Sequence, residues 1–186
     1  MRLRQKAGDE CHITVEKILG KGEHLPDDWP VSGTTGYEFI AALSDVLVDD
    51  ENLDGLREAY DQVVGKPVDM KAELRSAKLL MVDRNFAGEF SVLLRLAGEI
   101  AAHEASAPAE GALRQALREL LIAFPVYRTY GIAQGLPPAD LALLQKVVSQ
   151  VKASSFAPEP TALDFITRIL TGDLPDSARE EAARFR

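Results

Sequence analysis

The chain has 186 residues, of which 46% are apolar and 27% charged, so it is long enough to bury a core and falls in the ordinary globular range. A net charge of -8 argues against a nucleic-acid or anionic-membrane partner, because both require clustered cations. The single cysteine, Cys11, excludes an intramolecular disulfide and a thiolate metal cluster, and it fits a reducing compartment.

Targeting and cofactor signals are absent from the sequence. The basic N-terminus lacks the apolar core of a secretory signal, and no apolar stretch approaches the roughly 20 residues that span a bilayer. The three histidines lie far apart, and Gly20-Lys21-Gly22 lacks the spacing of a phosphate-binding loop. We therefore expect a cytoplasmic protein without a metal site or cofactor.

The sequence predicts the end of a helix over residues 1–6, closed by Ala7-Gly8, and then a strand over residues 13–19. Its β-branched residues Ile13, Thr14 and Val15 suit a buried strand, and Glu16 follows this apolar run directly. We identify no second strand for it to pair with, although a parallel strand requires a neighbour. A long Gly- and Pro-containing loop follows, with the only tryptophan, Trp29, and the string Ser-Gly-Thr-Thr-Gly over 32–36.

Helical periodicity begins at Gly36 and continues to the C-terminus. Apolar spacing predicts helices to residue 47 and over 49–65, 68–103, 110–124, 138–151, 162–170 and 176–186, with a bend or break at 85–88. Thr35 and Thr161 are the expected N-caps of two of them. The predicted fold is mainly α, a bundle of about seven or eight helices with one short N-terminal β-strand.

Four strings resemble one known family. They are V-E-K-I-L at 15–19, L-P-x-x-W-P-V at 25–31, G-T-T-G-Y at 33–37 and F-P-V-Y-R-T-Y at 124–130. Their content and order resemble the maltooligosyltrehalose synthases, a branch of the α-amylase superfamily (glycoside hydrolase family 13). The resemblance implies that residues 1–36 are a helix, a strand and an active-site loop from a (β/α)8 barrel. Residues 37–186 would then form a helical insert subdomain.

The resemblance covers only part of such an enzyme. Family members are several times longer, and two of their motifs do not occur here: the Ile-Asp-His string with the nucleophilic Asp and the Thr-His-Asp-Thr string with a third catalytic Asp. The chain is therefore expected to be an internal fragment.

Glu16 is the candidate catalytic residue. A Glu at the carboxyl end of a barrel strand is where retaining glycosidases keep their proton donor, and the resemblance implies that Glu16 is this acid/base. From the residues alone, a carboxylate at a strand end that pairs with Lys17 or a surface arginine is the alternative.

The loop and the first helix supply candidate sugar contacts. Trp29 and Tyr37 offer stacking surfaces, and the hydroxyls of Thr34 and Thr35 offer hydrogen bonds. The alternative is that Trp29 packs into the loop and Thr35 only caps a helix. The family has Asp where this chain has Glu38, which puts any role of that carboxylate in doubt.

The string over 124–130 supplies a second set of candidates. The resemblance places Tyr127, Arg128 and Tyr130 at the reducing-end subsite. The alternative is that Phe124 and Val126 belong to the core and that Arg128 binds the last carbonyls of the preceding helix. We expect a structural role for Phe124 and substrate contacts from Arg128 and Tyr130.

The resemblance implies an intramolecular transglycosylase (an isomerase) of trehalose biosynthesis. It would convert the reducing-end α-1,4 linkage of a maltooligosaccharide to an α,α-1,1 linkage, with the maltooligosaccharide and the remainder of the parent barrel as partners. The segment alone would be inactive, and an apolar face left by removing the barrel would favour self-association. The alternative is a stand-alone helical module that binds a glucan or a protein.

Overall fold

The computed structural model describes residues 2–20, 22–131 and 135–185. Contacts divide the chain into two compact units, Met1–Val68 and Asp69–Arg186. The boundary after residue 36, which the resemblance implies, concerns the parent barrel and stays a prediction. Part of the predicted loop over 131–138, residues 132–134, lies outside the described residues, as do Met1 and Arg186.

The described residues of the first unit form three α-helices and two short strands. In chain order these are α1 (Arg2–Ala7), β1 (Thr14–Val15), β2 (Gly33–Thr34), α2 (Tyr37–Leu47) and α3 (Leu53–Val64), with a 3-10 turn Asp50–Asn52 before α3. Helix α1 ends at Gly8 and α3 at Gly65, whose φ angles of +86° and +80° are left-handed. Glycine adopts this conformation without the steric cost of a Cβ, so both helices end there.

The prediction that the N-terminal strand lacks a neighbour is wrong. Strands β1 and β2 pair in parallel, with Thr14 opposite Gly33 and Val15 opposite Thr34. Strand β2 could not be predicted from the sequence, because Gly33–Thr34 has no apolar alternation and lies within a run that is typical of a loop. The pair is two residues long, shorter than the predicted strand over 13–19.

The helices of the first unit bury almost nothing. The sequence predicts apolar stripes on α2 and α3, but among the described residues of this unit only Lys17 is buried. The stripes are exposed at Tyr37, Ile40, Leu43, Val46, Leu47, Leu53, Leu56, Tyr60 and Val63. The amphipathic pattern is present in both helices, but no described residue of the first unit covers their apolar side.

The second unit contains the remaining six helices that the structure describes. They are α4 (Met70–Leu80), α5 (Ala87–Ala101), α6 (Glu110–Ala123), α7 (Pro138–Lys152), α8 (Pro160–Thr171) and α9 (Arg179–Phe185). A π-helical turn, Met81–Asn85, separates α4 from α5, where Phe86 N donates to Met81 O at 2.8 Å. The predicted break in the long helix at 85–88 therefore begins four residues earlier.

The core of the second unit lies among α5 to α9. Its largest fully buried side chains are Phe165, Ile100, Leu113, Leu120, Leu144, Leu163, Ile166, Ile169 and Val147. The spacing within the predicted helix over 68–103 makes Leu74, Leu80 and Phe86 core candidates, but these side chains are about half exposed. The mainly α fold is confirmed, with nine α-helices over the described ranges because the long predicted helix is divided.

The two predicted threonine caps are wrong. Helix α2 begins after Gly36 without a side-chain cap, and the N-cap of α8 is Glu159. Pro160 occupies the first turn of α8, where its missing N–H costs no hydrogen bond, and Thr161 donates its hydroxyl to Glu159 Oε1 at 2.6 Å.

Candidate active site

Glu16 follows the last residue of β1 directly. The strand pair is held by Ser32 N donating to Ile13 O at 2.7 Å and Thr35 N donating to Val15 O at 3.1 Å. Because the strands are parallel, their carboxyl ends lie at the same edge. Glu16 and Thr35 therefore leave the sheet at one edge, which is the edge where α/β barrels keep their catalytic groups.

The carboxylate of Glu16 is exposed and makes no hydrogen bond or ion pair with the residues that the structure describes. The alternative pairing with Lys17 does not form. Lys17 is 6% exposed, and its Nζ lies 2.6 Å from Glu23 Oε1. The neighbouring cation is thus held by another carboxylate, and Glu16 remains accessible to a ligand.

The segment after Glu16 is closed by Glu23. Besides the ion pair with Lys17, Glu23 Oε2 accepts from Gly20 N at 2.8 Å, and Glu23 N donates to Gly20 O at 2.9 Å. These bonds form a compact loop next to the candidate acid/base. The sequence carries no signal for this pair, since a spacing of six residues matches neither helical nor strand periodicity.

Trp29 lies in the connection between the two strands and is half-buried. The backbone N–H of Trp29 donates to Pro26 O at 3.1 Å, and its backbone carbonyl accepts from Val31 N at 2.8 Å, so this part of the loop forms a tight turn. The role of the indole ring, stacking on a sugar or packing within the loop, stays a prediction.

The hydroxyls of Thr34 and Thr35 differ in their bonding. Thr34 Oγ1 donates to the Glu38 carboxylate at 2.6 Å and accepts from Gly36 N at 3.2 Å. Two hydrogen bonds lower the pKa of Glu38. The larger effect comes from the Thr34 hydroxyl, and the smaller comes from the backbone N–H of Glu38 itself. Because Thr34 has already committed its one proton, Thr35 is the better free donor for a ligand.

The predicted residues of the second block lie in the second unit. Arg128 is exposed, and its guanidinium carbon is 4.9 Å from the centroid of the Tyr130 ring. Tyr130 N donates to Asp140 Oδ2 at 2.6 Å. Phe124 packs against the core, as expected, and Tyr127 is 89% exposed.

Arg128 does not bind the last carbonyls of α6, which was its alternative role. Lys78 from α4 does so, with Nζ donating to Ile122 O at 2.9 Å and to Phe124 O at 2.8 Å. The sequence did not indicate this role, because Lys78 lies 46 residues before Phe124.

A separate open cleft of about 750 Å³ lies along α5 and the start of α6. Leu94, Leu113 and Pro108 line it together with Arg95, Glu99 and Arg114. It includes none of the predicted sugar contacts.

The described residues contain no group of three or more His, Cys, Asp or Glu side chains arranged to bind a metal ion. Within the same residues, no helix combines the length and the apolar character needed to cross a membrane.

Comparisons with known proteins agree with the motifs. No protein-family model matches the chain. Two Mycobacterium tuberculosis proteins, from strains CDC 1551 / Oshkosh and ATCC 25618 / H37Rv, carry the provisional name maltooligosyl trehalose synthase. Each is 32% identical to the chain over 94 residues, which is 50% of the chain and 12% of the relative.

Two solved structures extend the likeness to nearly the whole chain. A mutant of maltooligosyltrehalose synthase from Arthrobacter ramosus covers 97% of the chain, with a TM-score of 0.73 and 26% identity. The DSM5389 glycosyltrehalose synthase covers 91%, with a TM-score of 0.63 and 26% identity. The chain resembles an internal segment of maltooligosyltrehalose synthases.

The chain spans only part of these maltooligosyltrehalose synthases. It covers 22% of the Arthrobacter ramosus structure and 21% of the DSM5389 structure. The resemblance of the chain to an internal segment of this family is thus confirmed, while the role of each site residue stays a prediction.

Proposed function

We propose that the chain supplies the general acid/base, Glu16, of an intramolecular transglycosylase that converts the reducing-end α-1,4 linkage of a maltooligosaccharide to an α,α-1,1 linkage. The observation that carries this proposal is the position of Glu16 at the carboxyl edge of a parallel strand pair, exposed and without an ionic partner among the described residues. The likeness to maltooligosyltrehalose synthases over 97% of the chain supports it.

In this mechanism Glu16 acts twice. It first protonates the oxygen of the last α-1,4 bond, while a nucleophilic carboxylate from outside the chain captures the anomeric carbon as a covalent glycosyl-enzyme. The released glucose then turns in its subsite. Ionised Glu16 removes the proton from its anomeric hydroxyl, and that oxygen attacks the glycosyl-enzyme to form the new linkage and free the nucleophile.

The isolated chain lacks the second half of this chemistry. A retaining mechanism needs two carboxyl groups about 5 to 5.5 Å apart, and the family's nucleophile string is missing from the sequence. The chain alone is therefore inactive, and the parent protein is the isomerase.

The remaining predicted contacts take complementary roles. Trp29 and Tyr37 provide aromatic surface, and Thr35 donates a hydroxyl proton to the sugar, with Thr34 offering acceptor capacity. Arg128 and Tyr130 contact the reducing-end glucose.

The partner of the first unit is the remainder of the parent barrel. The exposed apolar residues of α2 and α3 support this assignment, because contiguous apolar surface on a protein marks an interaction site. A cytoplasmic location is part of the same proposal, since the single cysteine suits a reducing compartment.

Calorimetric titration of maltopentaose into the chain, with an assay for trehalose-ended product, tests this function. We expect no product and no measurable heat of binding. Robust product from the isolated chain would contradict the proposal, because the chemistry would then need a nucleophile within these 186 residues.

A stand-alone glucan- or protein-binding module is the second candidate. It is favoured by the independent core of the second unit, which exposes the Arg128–Tyr130 stack without help from another chain. Saturable binding of maltopentaose without turnover supports this candidate, and loss of that binding in Tyr130→Ala would identify the stack as the binding surface.

A further inference from the structure

The segment 124–130 is irregular between α6 and the following loop. No backbone N–H of residues 125–129 donates to a backbone carbonyl of the described chain. Such a segment is mobile unless side chains fix it, because backbone hydrogen bonding does not restrict its dihedral angles. Two of its exposed residues are Tyr127 and Arg128, and Arg128 is a predicted sugar contact, so the order of the segment matters for binding.

The first end of the segment is fixed by Lys78. Its ammonium group donates to the carbonyls of Ile122 and Phe124, two acceptors at the end of α6 that have no helical partner. A lysine at a helix C-terminus also interacts favourably with the helix dipole.

The position of Lys78 is set by a neighbouring ion pair. Arg75, one turn earlier on α4, forms a bidentate salt bridge with Glu119 of α6, with N–O distances of 2.7 and 2.8 Å. Glu119 is 6% exposed, and the ring of Phe156 lies 3.8 Å from the Arg75 guanidinium carbon. This pair holds α4 against α6 at the level from which Lys78 reaches Phe124.

The second end of the segment is fixed by Asp140. Its Oδ2 accepts from Tyr130 N at 2.6 Å. Asp140 belongs to the first turn of α7, where a carboxylate is favoured by the helix dipole and where Pro138 fixes the backbone. The acceptor is therefore attached to a rigid element rather than to the loop.

We propose that Lys78 and Asp140 are positioning residues that hold 124–130 at both ends, so that the Arg128–Tyr130 stack presents one ordered surface for the sugar. The assignment of a sugar to this surface rests on the proposed function. The order of the segment does not, and it can be measured on the isolated chain.

Backbone ¹⁵N relaxation of residues 126–130 tests the proposal in Lys78→Met and Asp140→Ala. We expect order parameters of about 0.85 in the unmodified chain and below about 0.6 in either variant. Exchange of the Tyr130 amide hydrogen should be at least tenfold faster in Asp140→Ala, since a hydrogen bond to a charged acceptor is lost. Lys78→Arg retains a donor and should keep the order.

Two matched controls lie in the same unit. Lys71→Met removes an exposed lysine from the same helix as Lys78, and Glu110→Ala removes an acidic residue from the first turn of α6. Both should leave 126–130 ordered. Order that persists in Lys78→Met and Asp140→Ala would overturn the proposal, even if the thermal midpoint falls, because Lys78 would then serve only fold stability.

If Lys78→Met does not fold, Asp140→Ala alone tests the proposal, because Asp140 is not part of the buried core. A maltopentaose titration of the unmodified chain separates the two claims. Loss of order in the variants without sugar-induced shifts at Arg128 or Tyr130 supports the positioning role and agrees with the expectation that the isolated chain does not bind maltopentaose. Shifts in the unmodified chain that disappear in both variants support the positioning role and the stand-alone binding module.

Discussion

At the scale of single residues, the bond between Thr34 and Glu38 makes a prediction for pH dependence. The Thr34 hydroxyl, then the Glu38 backbone N–H, lower the pKa of Glu38 in the folded chain. A depressed folded pKa gives stability that is present above the unfolded pKa and lost as pH falls through the folded pKa. NMR titration should show that Thr34→Val raises the pKa of Glu38 toward its ordinary value.

Thr35→Val is the matched control for this substitution. The Thr35 hydroxyl has no hydrogen bond with the described residues, so its removal should leave the pKa of Glu38 unchanged. Equal pKa values for Glu38 in the unmodified chain and in Thr34→Val would show that the hydroxyl does not donate to the carboxylate.

Residue identities at the site were predictable, but their bonding was not. Recognisable strings marked Glu16, Trp29, Thr34 and Thr35. The commitment of Thr34 to Glu38 depends on a side-chain rotamer, and the burial of Lys17 against Glu23 depends on a turn of the loop. Neither has a periodic signature that a single sequence carries.

At the scale of elements, the packing of α4 on α6 depends on the Arg75–Glu119 pair. Arg75→Ala would leave the Glu119 carboxylate without its partner at 6% exposure. Loss of one partner of a buried pair costs about 3 kcal/mol, so urea unfolding followed by circular dichroism should show a decrease near that size. Replacement of both residues, Arg75→Met with Glu119→Leu, should cost much less.

Arg95→Ala provides the comparison for Arg75→Ala. It breaks an exposed pair with Glu99 within α5, and such pairs contribute about 0.5 kcal/mol or less. Equal losses of stability in Arg75→Ala and Arg95→Ala would contradict the structural importance of the α4–α6 pair.

The exposed apolar stripe of α3 predicts self-association. Val63 is 88% exposed and Leu56 is 67% exposed. In sedimentation velocity, the unmodified chain should form concentration-dependent oligomers, and Val63→Glu should reduce them. Gln62→Glu adds the same charge beside the stripe and should have little effect. A chain that stays monomeric at high concentration would refute this prediction.

Element types were largely predictable, whereas their environment was not. Helical spacing identified α2 and α3 correctly, because periodicity records which face an element is built to bury. It does not record whether the covering surface belongs to the same unit, and no described residue of the first unit covers the stripes of α2 and α3. Strand β2 was missed because two residues with a glycine give no alternating pattern.

At the scale of the whole molecule, the two units differ in what they bury. The described core residues belong to the second unit, whereas the first unit buries only Lys17 among its described residues. Trp29 is the only tryptophan and lies in the first unit, so its fluorescence reports on that unit alone. In urea, the fluorescence transition should precede the loss of helical circular dichroism.

A core substitution tests the assignment of the two transitions. Ile100 is fully buried, and Ile100→Ala should cost about 2 to 5 kcal/mol. It should lower the midpoint of the circular dichroism transition and leave the Trp29 transition in place. Coincident transitions that shift together would show that the chain unfolds as one cooperative unit.

The mainly α fold class and the family resemblance could be predicted from the sequence. The mainly α content followed from apolar periodicity, and four motif strings resemble the synthases whose solved structures the chain matches. The uneven distribution of buried residues between the two units could not be predicted from the sequence, because long-range packing decides which of several similar amphipathic helices cover one another.

The most direct test of the catalytic claim is a graft. The segment of the Arthrobacter ramosus synthase that aligns with this chain is replaced by this chain, and the kcat for trehalose-ended product from maltopentaose is measured with Glu16 and with Glu16→Gln. General acid/base catalysis contributes about 10² to 10⁴ in rate, so we predict an active graft and a loss of that size in Glu16→Gln, with Glu10→Gln unaffected. An inactive graft, or one that retains its kcat with Glu16→Gln, would contradict the account.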